Sequence, residues 1–231
     1  MNPLNRRQKR CMSSIEGVIK HLCRKENPKH ITQALLRRFL SPSGILESSV
    51  YALMSEGLSE TDAQLLKLIP DLTRYTMREQ FGEHPKLDKL SSAGEYLKTL
   101  YVGLSIEQFN ILHLDGAGRL IQCRNLQKGN IDETPFYIEH LMQDVIFIGS
   151  EAIVLSHNHP GGTLRPSNAD IQCTAHAIAA LSSIGVLMLD HVVVANDLAV
   201  SLRGNGFIDR HIWEGQDPSS ALLRDWVDVS L

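Results

Sequence analysis

The feature that most constrains the fold is a short apolar run, residues 152–155, which leads through one serine into a His-x-His-Pro-Gly-Gly turn. Four apolar residues that end in turn-forming residues are typical of a short buried strand. From residue 168 onward the apolar spacing is helical. A buried strand, a tight turn and a helix in this order predict an α/β unit, in which ligands bind at the carboxyl end of the strand.

The polar residues of this turn have the composition of a metal site. His157 and His159 are two residues apart, so on an extended segment their side chains point the same way. Asp170 follows in the first turn of the helix and would return a carboxylate to the same place. Two imidazoles and one carboxylate are the ligand set of a catalytic zinc that keeps one position for water. The sequence therefore predicts one zinc ion per chain.

Hydrolysis at such a site also needs a general base for the water. Zinc motifs of the form His-Glu-x-x-His are absent, so the carboxylate must come from elsewhere. The best candidate is Glu107, which opens the strand-like run 107–114, and Glu133 and Glu151 are weaker rivals. The hydroxyl of Ser167 could donate a hydrogen bond to a tetrahedral oxyanion.

Each of these residues also has a purely structural interpretation. Ser167 and Asp170 form a Ser-x-x-acid pair ahead of a helix, which by itself is more typical of a helix cap than of a site. Both roles can hold together, because a cap fixes where Asp170 points. Histidines in a turn rich in Asn, Pro and Gly are often solvent-facing. His191 is either a core residue or one that orients a metal ligand.

Composition bounds the class of protein. The chain has 231 residues, of which 43% are hydrophobic and 21% charged, as in ordinary globular proteins. No apolar run approaches the roughly 20 residues of a membrane span, and the basic start lacks the apolar stretch of a secretory signal. The four cysteines form no Cys-x-x-Cys pair. We expect a cytoplasmic protein with free thiols and no membrane partner.

Charge is unevenly distributed along the chain. Residues 1–94 carry 15 Lys and Arg against 10 Asp and Glu, a sum of +5, whereas residues 95–231 carry 8 against 16, a sum of −8. A basic amino-terminal part could contact phosphate backbones. An ordinary solvated surface explains the same excess.

Hydrophobic periodicity changes along the chain from helical to mixed. Helical spacing runs from residue 31 to about 78, with breakers at 41–44, Gly57 and Pro70, and a basic segment with a short helix near 15–23 precedes it. The segment 81–86 is typical of a linker. The second half predicts helices near 93–102, 138–148 and 168–184, strands at 108–114, 120–126, 152–155, 186–188, 191–195 and 199–202, tight turns at 115–118 and 196–197, and a last helix within 219–229.

The whole constellation resembles a known family. The pattern His157-x-His159-x7-Ser167-x2-Asp170 resembles the JAMM motif of JAB/MPN metalloproteases. More narrowly, residues 155–162 and 166–171 are similar to blocks of the RadC proteins, once called DNA repair proteins, as are residues 107–115, 128–130 and 189–191. The resemblance covers roughly residues 93–208, and its His-Asn-His-Pro block is quite specific.

The resemblance implies a fold and a chemistry. The fold is a three-layer α-β-α JAB/MPN domain, related to cytidine deaminases, here preceded by a small helical domain. His157, His159 and Asp170 would be the metal ligands. Glu107 falls where the family has its general base, and Ser167 where it has its oxyanion serine. JAB/MPN peptidases hydrolyse peptide or isopeptide bonds, so we expect a zinc-dependent metallohydrolase with a peptide or protein substrate.

Departures from the family concern the substrate and DNA. Gly161 and Thr163 replace a usual Ser and Asp, which bears on substrate recognition more than on metal binding. RadC proteins also tend to carry a helix-hairpin-helix that binds the DNA backbone through a Gly-x-Gly turn. Here Ser59 replaces the second glycine and Asp62 a usual lysine, and an acid at that place repels phosphate.

The sequence thus predicts four regions and leaves two alternatives to the hydrolase. The regions are a basic segment at 1–30, a degenerate helix-hairpin-helix-like domain at 31–80, the JAB/MPN domain at 93–208 and a tail at 209–231. One alternative is a nucleic-acid-associated module with a vestigial metal site. The other is a noncatalytic interaction module, against which the intact ligand set argues. DNA binding and homo-oligomerisation are left open.

Overall fold

The computed structural model describes residues 6–21, 28–128, 134–217 and 219–226. The chain divides into two compact units. The first comprises Met1–Thr76 with Val102–Ser105, and the second comprises Met77–Tyr101 with Ile106–Leu231.

The first unit is helical. Its core contains residues of the first helix, Met12, Ile15 and Ile19, together with Leu35 and Leu53 from later helices. The first helix therefore begins earlier than the predicted start at residue 15 and packs within this unit. The helices described here are α1 (Arg6–His21), α2 (Pro28–Phe39), α3 (Pro42–Glu47), α4 (Val50–Met54) and α5 (Glu60–Glu79), whose last residues belong to the second unit.

Pro70 does not break a helix, contrary to the sequence prediction. It lies inside α5 and is buried. A Cβ added to Gly103, which has φ +69°, would lie only 2.3 Å from the Pro70 Cβ, so the ring packs directly on that backbone. Tertiary packing outweighs the backbone hydrogen bond that proline removes from the helix.

The second unit is built on a five-stranded sheet. Its elements in chain order are α6 (Leu90–Tyr101), β1 (Gln108–Leu114), β2 (Leu120–Lys128), α7 (Thr134–Ile148), β3 (Ala152–Asn158), α8 (Asn168–Ser182), β4 (Leu187–Ala195), β5 (Leu198–Ser201), α9 (Arg210–Glu214) and α10 (Ala221–Asp225). The strand order is β2-β1-β3-β4-β5. Strand β3 is antiparallel to β1 and parallel to β4, whereas β1–β2 and β4–β5 are antiparallel hairpins.

Helices cover both faces of this sheet. Phe109 and Leu155 pack on one face in a single core cluster with Leu141 of α7 and Ala177 of α8. Successive strand residues point to opposite faces, so Ser156 faces the other way, where it lies beside Tyr101 of α6. The predicted three-layer α-β-α arrangement is confirmed.

Strand β4 differs from its prediction. The sequence predicts two short strands, at 186–188 and 191–195. The structure has one strand, with a register shift that leaves Leu189 unpaired opposite the step from Ile153 to Val154. The bulge accommodates Asp190 inside a continuous strand.

The turns and the bounds of β1 agree more closely with the sequence prediction. Strand β1 has its predicted bounds, and the turns at 115–118 and 196–197 join hairpins. Asn196 and Asp197 both have positive φ, as a type I′ turn requires. Within the predicted range 219–229 the structure has α10, which ends at Asp225 with Trp226 as its C-cap, and residues 227–229 lie outside the described residues; α9 was not predicted.

No helix among the described residues is long and apolar enough to cross a membrane. Cys123 and Cys173 are free thiols in the part of the chain that the structure describes.

Candidate metal centre

The two predicted imidazole ligands converge at the carboxyl end of β3. His157 is the next-to-last residue of the strand and is fully buried. The backbone N–H of His159 donates to Val194 of β4, so extended pairing continues past the strand end and keeps both rings on one side. The Nε2 atoms of the two rings lie 2.9 Å apart. Two ring nitrogens at this distance need a proton or a metal ion between them.

Thr163 orients the outer ring. The Nδ1 atom of His159 lies 2.9 Å from the backbone oxygen of Thr163. A carbonyl oxygen only accepts, so Nδ1 is the donor. In neutral His159 the lone pair is therefore on Nε2, the nitrogen that faces His157. No local sequence pattern indicates this contact, because it depends on how the Pro-Gly-Gly turn folds back.

Two carboxylates flank this pair of nitrogens. Asp170 places Oδ1 3.5 Å from His157 Nε2 and Oδ2 3.9 Å from His159 Nε2. Glu107 places Oε1 3.8 Å from His157 Nε2, and the ligand atoms of Glu107, His157 and His159 all lie within 4.8 Å of one another. Ligand atoms about 2.1 Å from a tetrahedral zinc are roughly 3.4 Å apart. The spacing therefore fits a single ion.

Asp170 caps its own helix while it faces the histidines. Ser167 and Asp170 form a capping box, in which the Ser167 N–H donates to Asp170 Oδ2 over 2.7 Å and Ser167 Oγ accepts from the Asp170 N–H over 3.1 Å. The structural interpretation of this pair is thus correct. The cap uses Oδ2, so Oδ1 is the oxygen that is free to face His157.

The Ser167 hydroxyl has only one proton, and it is directed to Asp170 Oδ2 over 2.7 Å. An oxyanion could receive that proton only if the hydroxyl turned away from Asp170. The role of Ser167 in oxyanion stabilisation therefore stays a prediction.

Opposing influences act on the Asp170 carboxyl. Burial raises its pKa, but hydrogen bonding and charge from His157 and hydrogen bonds from Ser167 outweigh burial and leave the pKa well below its ordinary value. Asp170 is therefore an anion at neutral pH, as a metal ligand must be.

Asn158, which sequence reasoning did not single out, fixes the position of Glu107. Its Oδ1 accepts from the Gln108 N–H over 2.9 Å, and its Nδ2 donates to the Ile106 carbonyl over 3.1 Å. One buried amide thus binds the backbone on both sides of Glu107. The middle residue of His-Asn-His reaches 50 residues back along the chain, which no local pattern could indicate.

His191 supports the inner ring. Its Nε2 lies 2.8 Å from His157 Nδ1, and it is fully buried. Burial, reinforced by the charge at His157, lowers the pKa of His191 well below its ordinary value, so this ring is neutral at neutral pH. Phe109 stacks on His157 with ring centroids 4.6 Å apart. The contact between His191 and His157 is compatible with the predicted role of His191, which is to orient a ligand.

Asp190 ties the carboxyl-terminal segment to this strand. Its oxygens accept from Ser201 Oγ over 2.5 Å, from Trp226 Nε1 over 2.9 Å and from the backbone of His191 and Arg203. Burial raises the pKa of Asp190, and these four donors oppose the rise. The residue beside His191 is thereby held by contacts from two later parts of the chain, residues 201–203 and Trp226.

The rival carboxylates lie elsewhere. Glu151 precedes β3, at the opposite end of the strand from the histidines, and accepts from the Gly116 N–H of the β1–β2 turn over 2.9 Å. Glu133 lies outside the described residues. Among the described candidates, Glu107 alone approaches the imidazoles.

Comparison with known proteins agrees with this geometry. Residues 87–207 match the model of the RadC-like JAB domain. The chain belongs to the RadC family. A UPF0758 protein of Variovorax paradoxus is 33% identical over 185 residues, which cover 79% of this chain and 82% of that protein. A UPF0758 protein of Acidovorax ebreus is 32% identical over 167 residues, or 72% of this chain and 70% of that protein.

Membership in the RadC family accounts for the fold and for a possible metal site. The match begins just before α6 and ends beyond β5, so it includes the sheet and every candidate residue named above. The histidine pair with its flanking carboxylates lies inside this JAB domain.

Proposed function

We propose that this RadC-like protein is a zinc-dependent hydrolase of peptide or isopeptide bonds. The observation that carries the proposal is the convergence of the two imidazole Nε2 atoms, 2.9 Å apart, between the carboxylates of Glu107 and Asp170. Imidazole nitrogens and carboxylate oxygens are the donor atoms of many catalytic zinc sites.

His157, His159 and Asp170 would hold the metal. Asp170 is the better third ligand, because its Oδ1 is not used by the helix cap and lies 3.5 Å from His157 Nε2. A zinc ion held there would supply the chemistry of an activated water and of a Lewis acid toward a substrate carbonyl.

Glu107 is the better proton carrier. Its side chain is 28% exposed, whereas that of Asp170 is 6% exposed, so Glu107 lies where an arriving substrate can reach it. Its Oε1 would take a proton from the attacking water and deliver it to the amine that leaves. Asn158 orients this carboxylate through the backbone on either side of it.

The test compares hydrolysis with metal content. Zinc-loaded wild-type protein, Glu107→Gln and the control Glu151→Gln are incubated with a panel of fluorogenic peptides and isopeptide-linked lysine substrates, and amine release is measured. We expect wild type and Glu151→Gln to hydrolyse the same substrates, and Glu107→Gln to be slower by about 10²- to 10⁴-fold while it still binds zinc.

Each failure has a distinct meaning. Equal rates in wild type and Glu107→Gln would exclude Glu107 as the base. Loss of zinc from Glu107→Gln would make Glu107 a ligand instead. Absence of hydrolysis by zinc-loaded wild type across the panel would contradict the proposed activity.

A further inference from the structure

A chain of three buried side chains leads away from the inner imidazole. His157 Nδ1 lies 2.8 Å from His191 Nε2, and His191 Nδ1 lies 2.6 Å from the hydroxyl of Thr174. That hydroxyl lies 2.6 Å from the backbone oxygen of Asp170, one helical turn earlier in α8. The side chains of His157, Thr174 and His191 are fully buried, so these contacts are shielded from solvent.

The chemistry of the last contact fixes the direction of every proton in the chain. The Asp170 carbonyl can only accept, so the single hydroxyl proton of Thr174 is donated to it. The Thr174 oxygen must then accept from His191, which places the His191 proton on Nδ1. The Nε2 of neutral His191 is left as an acceptor, and it takes the proton on His157 Nδ1.

We propose that Thr174 is a positioning residue that sets the tautomers of His191 and His157, and so leaves the Nε2 lone pair of His157 facing the metal position. The inference rests on the proposed zinc site. An ion that replaces the proton between the two Nε2 atoms, 2.9 Å apart, would then leave His157 as a neutral imidazole, whereas in a reversed chain it would leave an imidazolate.

The same hydroxyl also links two ligands. Through its bond to the Asp170 carbonyl it holds the first turn of α8, and through His191 it orients the ring of His157. Partners of metal-binding histidines typically change metal affinity by about 10- to 100-fold when they are removed. Thr174 is one residue further from the metal than such a partner, but its single proton is donated to a carbonyl, and this sets the direction of the other two bonds.

The first measurement needs no variant. Long-range ¹H–¹⁵N correlation spectra of ¹⁵N-histidine-labelled, zinc-free wild-type protein report which ring nitrogen of His191 carries the proton. We expect the proton on Nδ1. A proton on Nε2 of His191 would overturn the proposal, whatever the protein does with zinc.

The second measurement uses a matched pair of variants. Thr174→Val keeps the size of the side chain but lacks the hydroxyl, and Thr174→Ser keeps the hydroxyl. We expect Thr174→Val to bind zinc, added alone and titrated against a chelator, at least 10-fold more weakly and to shift His191 toward the Nε2 tautomer. Thr174→Ser should stay within about threefold of wild type, because its hydroxyl can still donate to the Asp170 carbonyl.

The outcomes separate this proposal from the proposed function. Wild-type protein that does not bind zinc would overturn the metal site itself, whereas the His191 spectrum still decides the tautomer. Wild-type zinc affinity in Thr174→Val, or equal loss in Thr174→Val and Thr174→Ser, would show that the hydroxyl does not set the ligand tautomer.

Discussion

Replacing Asn158 by alanine tests how the Glu107 carboxylate is positioned. The substitution removes two hydrogen bonds, of 2.9 and 3.1 Å, to the backbone on either side of Glu107. A neutral hydrogen bond contributes about 1 kcal/mol net, so the loss should lower the free energy of unfolding by about 2 kcal/mol. The side chain is 4% exposed, so water replaces the lost partners poorly.

Gln216 offers a matched control at the other end of the sheet. Its amide holds Met188, near the start of β4, through two bonds of 2.7 and 2.9 Å, and it also donates to the Trp213 carbonyl over 3.2 Å. We expect Gln216→Ala to lose a similar free energy of unfolding. Because Met188 is far along β4 from the histidines, only Asn158→Ala should disturb the metal centre.

The assay has two readings for each variant. Urea unfolding followed by tryptophan fluorescence reports the α/β unit, which contains both tryptophans of the chain. The visible absorption of bound cobalt(II) reports the groups around the metal, and we expect it to change in Asn158→Ala but not in Gln216→Ala. A wild-type cobalt spectrum in Asn158→Ala, or a stability loss below about 0.5 kcal/mol, would refute the reasoning.

Two further predictions concern buried groups. Trp226→Phe removes the hydrogen bond from Nε1–H to Asp190 and should lower the free energy of unfolding in urea by about 1.5–3 kcal/mol. Trp213→Phe should lower it less, because Trp213 Nε1 has no acceptor among the described residues. Equal losses in the two variants would contradict this account. Burial lowers the pKa of His113 to about 4, so between about pH 4 and 6.5 the unfolded chain binds more protons than the folded chain. The free energy of unfolding therefore decreases as the pH is lowered from about 6.5 to about 4, by up to about 3 kcal/mol. His113→Phe should lose this dependence and the exposed control His176→Gln should retain it, as measured by unfolding at pH 7 and pH 4.

Local sequence patterns were sufficient to predict the features that depend on contacts between neighbouring residues. The two-residue spacing of His157 and His159 placed both rings on one side of a strand end, and the Ser-x-x-Asp pattern predicted the cap at Ser167. Both features depend on neighbours within a few residues. The roles of Glu107 and Ser167 in catalysis remain predictions.

Contacts between distant segments could not be predicted in the same way. Asp190 lies between the two strands predicted at 186–188 and 191–195, and its carboxyl group accepts a hydrogen bond from Trp226, 36 residues later. Asn158 acts on backbone 50 residues earlier, and Pro70 fits its helix because it packs on Gly103. Propensity is outweighed at each of these places by a tertiary contact.

The packing of the amino-terminal region was also not predictable from local sequence. Its basic composition favoured a segment separate from the helical domain, whereas Ile15 and Ile19 of α1 are buried in the core of that unit. That the degenerate turn around Ser59 contacts DNA poorly stays a prediction.

Metal stoichiometry tests the central claim most directly. Purified wild-type protein is equilibrated with excess zinc, passed through a desalting column and measured by elemental analysis, beside the His157→Ala/His159→Ala variant and His176→Gln. The account predicts about one zinc per chain in wild type and in His176→Gln, and close to none in the double variant. Wild-type protein that stays metal-free in excess zinc would contradict it.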